Sequence, residues 1–182
     1  YATPKDILAK SLEELRALKE LGIGILYLGV ESGSNEILKS INKGVTAENL
    51  IIAGRKVKES GIKLSTTLIS GIGGREKISE NAIESAKLIS AINPDYVGFL
   101  TLMLENGTPI YKDVQDDIFH ILTEDEVMFE LREFLENVEV TNCIFRSNHA
   151  SNYISLSGTM PGDKDKLLAD IDLTLKGKYL YK

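Results

Sequence analysis

Ile23-Gly24-Ile25-Leu26-Tyr27-Leu28-Gly29-Val30 runs almost without a polar side chain and then breaks into Glu31-Ser32-Gly33-Ser34. A short apolar run of this kind, bounded by turn residues, is expected of a parallel strand buried on both faces. The polar break supplies small residues for a tight loop, and Ser34 is placed to cap a short helix running through Leu38. Strand, polar loop, helix is the first half of a β/α unit.

The same grammar extends to either side. Upstream, Thr3-Pro4-Lys5-Asp6 reads as a helix start, with Thr3 capping, Pro4 at the first helical position and Asp6 complementing the dipole. Leu8, Leu12, Leu15 and Leu18 follow at helical spacing, and one helix is expected as far as Gly22. Downstream, Asn42-Lys43-Gly44 breaks the short helix. Thr46 caps the next one, with Leu50, Ala53 and Val57 on one face and Gly61 as its stop. Ile62 to Ile69 is a second strand, followed by Gly71-Ile72-Gly73-Gly74 and a helix from about Ser79 to Ala91. Asn93-Pro94-Asp95 turns into a third strand, Tyr96 to Met103. Strand starts therefore recur about every 35 residues with a helix in each gap, the βαβ signature of a parallel sheet or barrel. In such folds the loops beyond the C-terminal strand ends carry the chemistry.

After residue 104 the pattern changes. Glu105 to Pro109 reads as a turn, and Thr123 caps an acidic amphipathic helix to about Val138. Thr141 to Arg146 and Tyr153 to Leu156 read as short strands, and Asp163 begins a last helix through about Leu175. The expected division is a barrel part over residues 1–112 and an α/β extension over 113–182, with no linker between them.

The 182 residues, 43% hydrophobic and 26% charged, suffice for one folded unit with a buried core. With a net charge of −6 and no Lys/Arg cluster, a nucleic-acid footprint is not favoured. No apolar run is long enough for a membrane span, and nothing resembles a signal peptide. The single cysteine, Cys143, fits a reducing, cytoplasmic setting. It lies in an apolar stretch and is expected to be buried and inert. Together with two scattered histidines, His120 and His149, it offers no zinc site. His120, between apolar neighbours, reads as a partly packed histidine.

Three segments have the residue types for ligand chemistry. Glu31 can accept from an ammonium or a ribose, and Ser32 and Ser34 can donate or accept over a helix N-terminus; Ser34 as a plain cap is the simpler alternative. Lys43 can pair with a ligand carboxylate, or serve only solubility. Thr67-Leu68-Ile69-Ser70-Gly71-Ile72-Gly73-Gly74 runs from strand into glycines, letting backbone groups approach a flat base or a phosphate, or forming a glycine turn with no ligand; no Gly-Lys-Ser/Thr follows, so it is not a P-loop. Arg146, Asn148, His149 and Asn152 could form a substrate-facing rim, or a turn whose Asn and Ser side chains bond to local backbone.

The order and spacing of Gly29-Val30-Glu31-Ser32-Gly33-Ser34, Asn42-Lys43-Gly44, Ile69-Ser70-Gly71-Ile72-Gly73-Gly74, Asn93-Pro94-Asp95-Tyr96-Val97 and Gly107-Thr108-Pro109-Ile110-Tyr111 resemble the radical S-adenosylmethionine (SAM) family. The resemblance covers about residues 1–112, and its nearest branch holds oxygen-independent coproporphyrinogen oxidases and methylthiotransferases. It implies the later half of a partial (β/α) TIM-like barrel. It also implies SAM and a 4Fe-4S cluster as cofactors, and a 5′-deoxyadenosyl radical acting on a small-molecule or unknown substrate. Glu31 and Ser32 would lie at the SAM ribose and methionine, Lys43 at the SAM carboxylate, and Ile69 and Gly71 along the adenine, with Ser34 and Thr67 also among the SAM-binding residues. Tyr1 would face the same site from the tip of the preceding strand. Family members bind the cluster through a Cys-x₃-Cys-x₂-Cys loop near the first barrel strand. With Cys143 alone this chain cannot provide that loop, so it is expected to be a piece of a longer oxidoreductase or transferase, inactive by itself. The alternative is a non-catalytic β/α module for an adenosine-type ligand or a partner. A half-barrel is further expected to self-associate through its open edges, or to be covered by its own tail.

Overall fold

The computed structural model describes residues 1–180, so the last two residues of the expected 113–182 extension lie outside it. In chain order the helices are α1 (Pro4–Ala9), α2 (Leu12–Glu20), α3 (Asn35–Ser40), α4 (Ala47–Glu59), α5 (Ile78–Ile92), α6 (Pro109–Gln115), α7 (Glu124–Asn137) and α8 (Lys164–Leu180). The strands are β1 (Ile25–Glu31), β2 (Lys63–Ser70), β3 (Tyr96–Thr101), β4 (Cys143–Arg146) and β5 (Ser157–Met160). They form one sheet in the order β1-β2-β3-β4-β5, parallel through β4, with β5 antiparallel at the far edge. The two strands that follow residue 112 thus continue the same sheet as the three before it.

Only one face of that sheet is covered. Side chains alternate along a strand, and one set is buried: Leu28 and Val30, Leu64 and Leu68, Val97 and Phe99, Cys143 and Phe145. These press against a helical layer that includes α4, α5 and α7, with α1 beside α4 and α8 beside α7. Phe99, Phe134 of α7 and Phe145 form a triad, with ring centroids 5.4 to 6.4 Å apart. Each such side chain contributes roughly 1.5–3 kcal/mol through burial. The opposite set, Tyr27, Gly29, Thr67, Tyr96, Gly98, Ile144 and Arg146, faces an open concavity. The expectation that β1 is buried on both faces is therefore corrected: Tyr27 is 42% exposed. Apolar residues on both faces of a strand do not reveal whether a second layer is present to cover them.

Local capping explains the other departures. The helix expected over residues 3–22 is two helices, because Ser11 makes a second capping box with Glu14. Thr108 and Pro109 start α6 in the way that Thr3 and Pro4 start α1, where only a turn was expected. The final strand is Ser157–Met160 and not Tyr153–Leu156. Its Ser-Gly-Thr-Met sequence carries no apolar alternation, and it is recruited by pairing with β4.

The loop after β1 lies directly on α5. A β-carbon on Gly33 would stand 2.1 Å from the Glu84 carbonyl oxygen, and the Gly33 N–H donates to Ser85 Oγ at 2.9 Å. Gly33→Ala is expected to lower unfolding free energy by at least about 2 kcal/mol, because backbone cannot make way for the methyl. Gly24→Ala, with nothing within 4 Å, should stay within about 0.5 kcal/mol of the parent. Urea unfolding of the two variants checks this.

Candidate functional site

The open face of the sheet floors a concavity of about 1010 Å³. Strand register sets one row across it: Gly29 beside Thr67, Thr67 beside Gly98, Gly98 beside Arg146. Two of the four carry no side chain, so the centre of the floor is low and largely backbone.

Above Gly29 lies a charged pair. Lys43 Nζ stands 2.9 Å from Glu31 Oε1, each side chain 21% exposed. Two local features put the Glu31 carboxylate there. Glu31 takes φ +67°, a left-handed conformation that costs a non-glycine residue of order 1–3 kcal/mol, and the strand register shifts between Gly29 and Glu31. The side chain then folds back over Gly29, where a β-carbon would meet Oε1 at 2.3 Å and Lys43 Nζ at 3.3 Å. Gly29, Glu31 and Lys43 are one unit: a bare backbone, a carboxylate laid over it and an ammonium closing the pair.

Of the residues singled out from sequence, Tyr1, Glu31, Lys43, Thr67, Arg146, Asn148 and His149 line the concavity. Tyr1 stacks on Tyr27 at 5.2 Å, tilted by 32°, and the Ala2 N–H donates to the Tyr27 carbonyl along the free edge of β1. Asn152 is committed elsewhere. Its amide donates to the Phe99 and Ser147 carbonyls, and its oxygen accepts from Thr101 Oγ1. Ser151 accepts from the Thr101 N–H, so this end of the loop is the turn bonded to neighbouring backbone.

The two serines face away from the concavity. Ser32 is fully buried; its hydroxyl donates to Asn81 Oδ1 at 2.7 Å and accepts from the Ser34 N–H. Ser34 caps Ile37 N and bonds to the Glu80 carboxylate. Ile69 reaches the same network through its carbonyl, which accepts from Asn81 Nδ2. Gly71, at φ +78°, lines a second pocket of about 260 Å³ with Ser70, Leu102 and Leu122.

The centre of the network was not singled out from sequence. Glu130 of α7 is 1% exposed and accepts from Ser70 Oγ, from the Gly71 N–H at 2.8 Å and from Asn81 Nδ2 at 2.8 Å. Burial pushes its carboxyl up from the ordinary value, and the three donors oppose that shift. One signal existed: Glu130 sits on the stripe Val127, Leu131, Phe134, where a carboxylate is costly without donors. Gly98 and Tyr96 of the floor carried no such signal, because only register places them there.

Cys143 is buried against the helices, and burial pushes its thiol up to about 12. Among the described residues no group of three or more His, Cys, Asp or Glu is placed to hold a metal ion. None of the described helices is long and apolar enough to cross a membrane. His120 is partly exposed and bonded through Nδ1 to Glu76 at 2.6 Å, with Asp117 3.3 Å from Nε2.

A parallel half-barrel with a bare floor and a charged pair at a strand end is the class of fold and site. The model of the Radical SAM superfamily matches residues 2–86 of this chain. A tRNA-2-methylthio-N(6)-dimethylallyladenosine synthase of Clostridium botulinum is 28% identical over 176 residues, covering 91% of this chain and 36% of that protein. A tRNA uridine(34) acetyltransferase of Methanocaldococcus infernus is 29% identical over 119 residues, covering 65% of this chain and 22% of that protein. The chain thus spans about a fifth to a third of the length of these relatives. Among solved structures, the archaeal Elp3 of Methanocaldococcus infernus with an N-terminal deletion superposes with a TM-score of 0.65 at 23% identity, covering 97% of this chain and 41% of that one. Methylornithine synthase superposes at 0.52 and 18% identity, covering 90% and 55%. The expected methylthiotransferase branch is thus represented among the relatives. Two of them are named for tRNA.

Two solution properties follow. Native Cys143 should resist a thiol reagent at pH 8 and react only on unfolding, as absorbance-monitored labelling with and without urea would show. The Glu76 carboxylate holds the His120 imidazole above its ordinary value of 6.5. Stabilisation by this pair is then full below about pH 6.5 and lost as pH rises through the raised value. On the acid side it is lost as pH falls through the Glu76 value, which lies below the ordinary 4.5. The stability gap between the parent and His120→Gln, from urea melts at several pH values, should be widest near pH 6 and close at alkaline pH.

Proposed function

We propose that this chain supplies the SAM-binding βα loops of a radical SAM protein, with the Glu31–Lys43 pair over Gly29 as the ligand's polar anchor. The observation that supports this most is the left-handed Glu31. A non-glycine residue held at φ +67° stores strain, and here the strain delivers a carboxylate to the mouth of the concavity. A carboxylate and an ammonium side by side complement the opposed charges of an amino-acid zwitterion such as the methionine part of SAM. Lys43 would take the carboxylate as a point charge, without the fork of an arginine. Ser32 and Ser34 act through backbone placement, their hydroxyls being engaged with α5 and α3. The small pocket beside Ser70, Gly71 and Leu122 has the size and apolar walls for a flat base.

The residues present fit SAM, and they do not fit the cluster. The sole thiol, Cys143, faces the helical layer, and among the described residues no set of ligands converges near the concavity. No residue of this chain is therefore proposed as a cluster ligand. The whole protein's activity is inferred by class only: chemistry on a nucleic-acid substrate, as the names of the relatives say of them. Arg146, Asn148 and His149, opposite the ion pair, are the side chains that would meet that substrate.

Isothermal titration of the chain with SAM and with S-adenosylhomocysteine tests the reading. Glu31→Ala and Lys43→Ala should each weaken SAM binding about tenfold, equivalent to about 1.4 kcal/mol. Gly29→Ala should do the same by displacing the Glu31 carboxylate. Unchanged affinity in all three variants would remove the site from this pair.

A further inference from the structure

The loops after β1 and β2 do not touch the ligand face independently; they are joined behind the sheet. From Gly71 N–H a chain of hydrogen bonds runs to Glu130 Oε2, from Oε1 to Asn81 Nδ2, from Asn81 Oδ1 to the Ser32 hydroxyl, and from Ser32 Oγ to Ser34 N–H. We propose that Glu130 is a positioning residue which, through Asn81, holds the loop at 31–34 and the strand end at 69–71 in fixed relation, and thereby sets the geometry of the adenosyl-ligand site. This rests on the SAM reading given above.

Directionality makes the inference sharp. The Ile69 carbonyl can only accept, so it fixes Asn81 with its NH₂ toward Ile69 and Glu130 and its oxygen toward Ser32. Gly71 N–H and Asn81 NH₂ are then obligate donors to the two different oxygens of Glu130. A carboxyl group satisfies both in either protonation state, since Ser70 Oγ can donate to it or accept from it. A glutamine cannot. Its NH₂ must face one of the two donors, and turning Asn81 over to relieve this sets its oxygen against the Ile69 carbonyl and its NH₂ against Ser32, whose buried hydroxyl loses the acceptor it donates to. The disturbance therefore travels to residues 31–34, which Glu130 does not touch. Isosteric replacement of Glu130 is predicted to loosen a loop on the far side of α5.

The donor pattern also specifies a repair. In Glu130→Gln combined with Asn81→Asp, the glutamine oxygen accepts from Gly71 N–H and its NH₂ donates to Asp at 81. The other oxygen of that Asp accepts from Ser32. One carboxylate is kept inside and the Ser32 anchor returns, while an Asp oxygen now faces the Ile69 carbonyl, so the repair is confined to residues 31–34.

Amide hydrogen exchange and SAM titration of the full chain test this together. Glu130→Gln should raise exchange at Gly33 and Ser34, as well as at Gly71, by about tenfold or more, and the double variant should return Gly33 and Ser34 most of the way. SAM affinity should fall about tenfold in Glu130→Gln and recover in the double variant. Ser32→Ala, a small change at the far end of the chain of bonds, should reproduce the loosening of Ser34 and the loss of affinity, although its hydroxyl faces away from the concavity. Exchange that rises at Gly71 alone, or a double variant no better than the single, would overturn the proposal; so would a Ser32→Ala that matches the parent in both readouts. Failure of the parent to bind SAM would instead defeat the function proposed above, and the exchange results would then decide the positioning role alone.

Discussion

The structure depends on a parallel sheet covered by helices on one side only. On the covered side the alternation of strand side chains is spent on packing: Leu28, Leu64, Phe99 and Phe145 join the hydrophobic core shared with α4, α5 and α7. On the open side the same alternation leaves residues free of packing duty, and these form the concavity. Because β1 to β4 all run the same way, the loops after them arrive at one rim. That rim is where Glu31, Ser70 and Arg146 end up, although 115 residues separate the first from the last.

Polar groups at the rim divide into two sets with different surroundings. Glu31 and Lys43 are partly solvated and face the concavity, where a ligand's charges can compete with the pair. Glu130, Asn81, Ser32 and Ser70 are buried behind the sheet, where an unmet donor or acceptor costs about 1–3 kcal/mol. Among the described residues, no buried side-chain nitrogen or oxygen lacks a partner. The buried set is thus satisfied internally and suits holding loops in place; the exposed set is free to bind.

Much of this was legible in the sequence. Helix starts were readable because capping chemistry is local: Thr3, Ser34, Thr46 and Thr123 all cap as read. The strand period and the motif order led to the radical SAM superfamily and a partial barrel. The break at Ser11 and the start at Thr108 carried the same local signals and show that such signals are easily passed over inside a longer apolar pattern. Strand β5 is different in kind: Ser157-Gly158-Thr159-Met160 has no strand signature, and pairing with β4 alone makes it one.

What the sequence by itself determined was the order of elements, the resemblance to a family and the list of polar residues at strand ends, since these rest on local chemistry and spacing. Tertiary structure decided which way those residues face. Ser32 and Glu31 are neighbours in the chain, yet one is locked against α5 and the other, through a left-handed backbone, lies over Gly29 in the concavity. Asn81 and Glu130 became part of the site's support only because α5 and α7 pack side by side against the sheet. Direction and partnership of this kind depend on long-range packing and register, which no local pattern encodes.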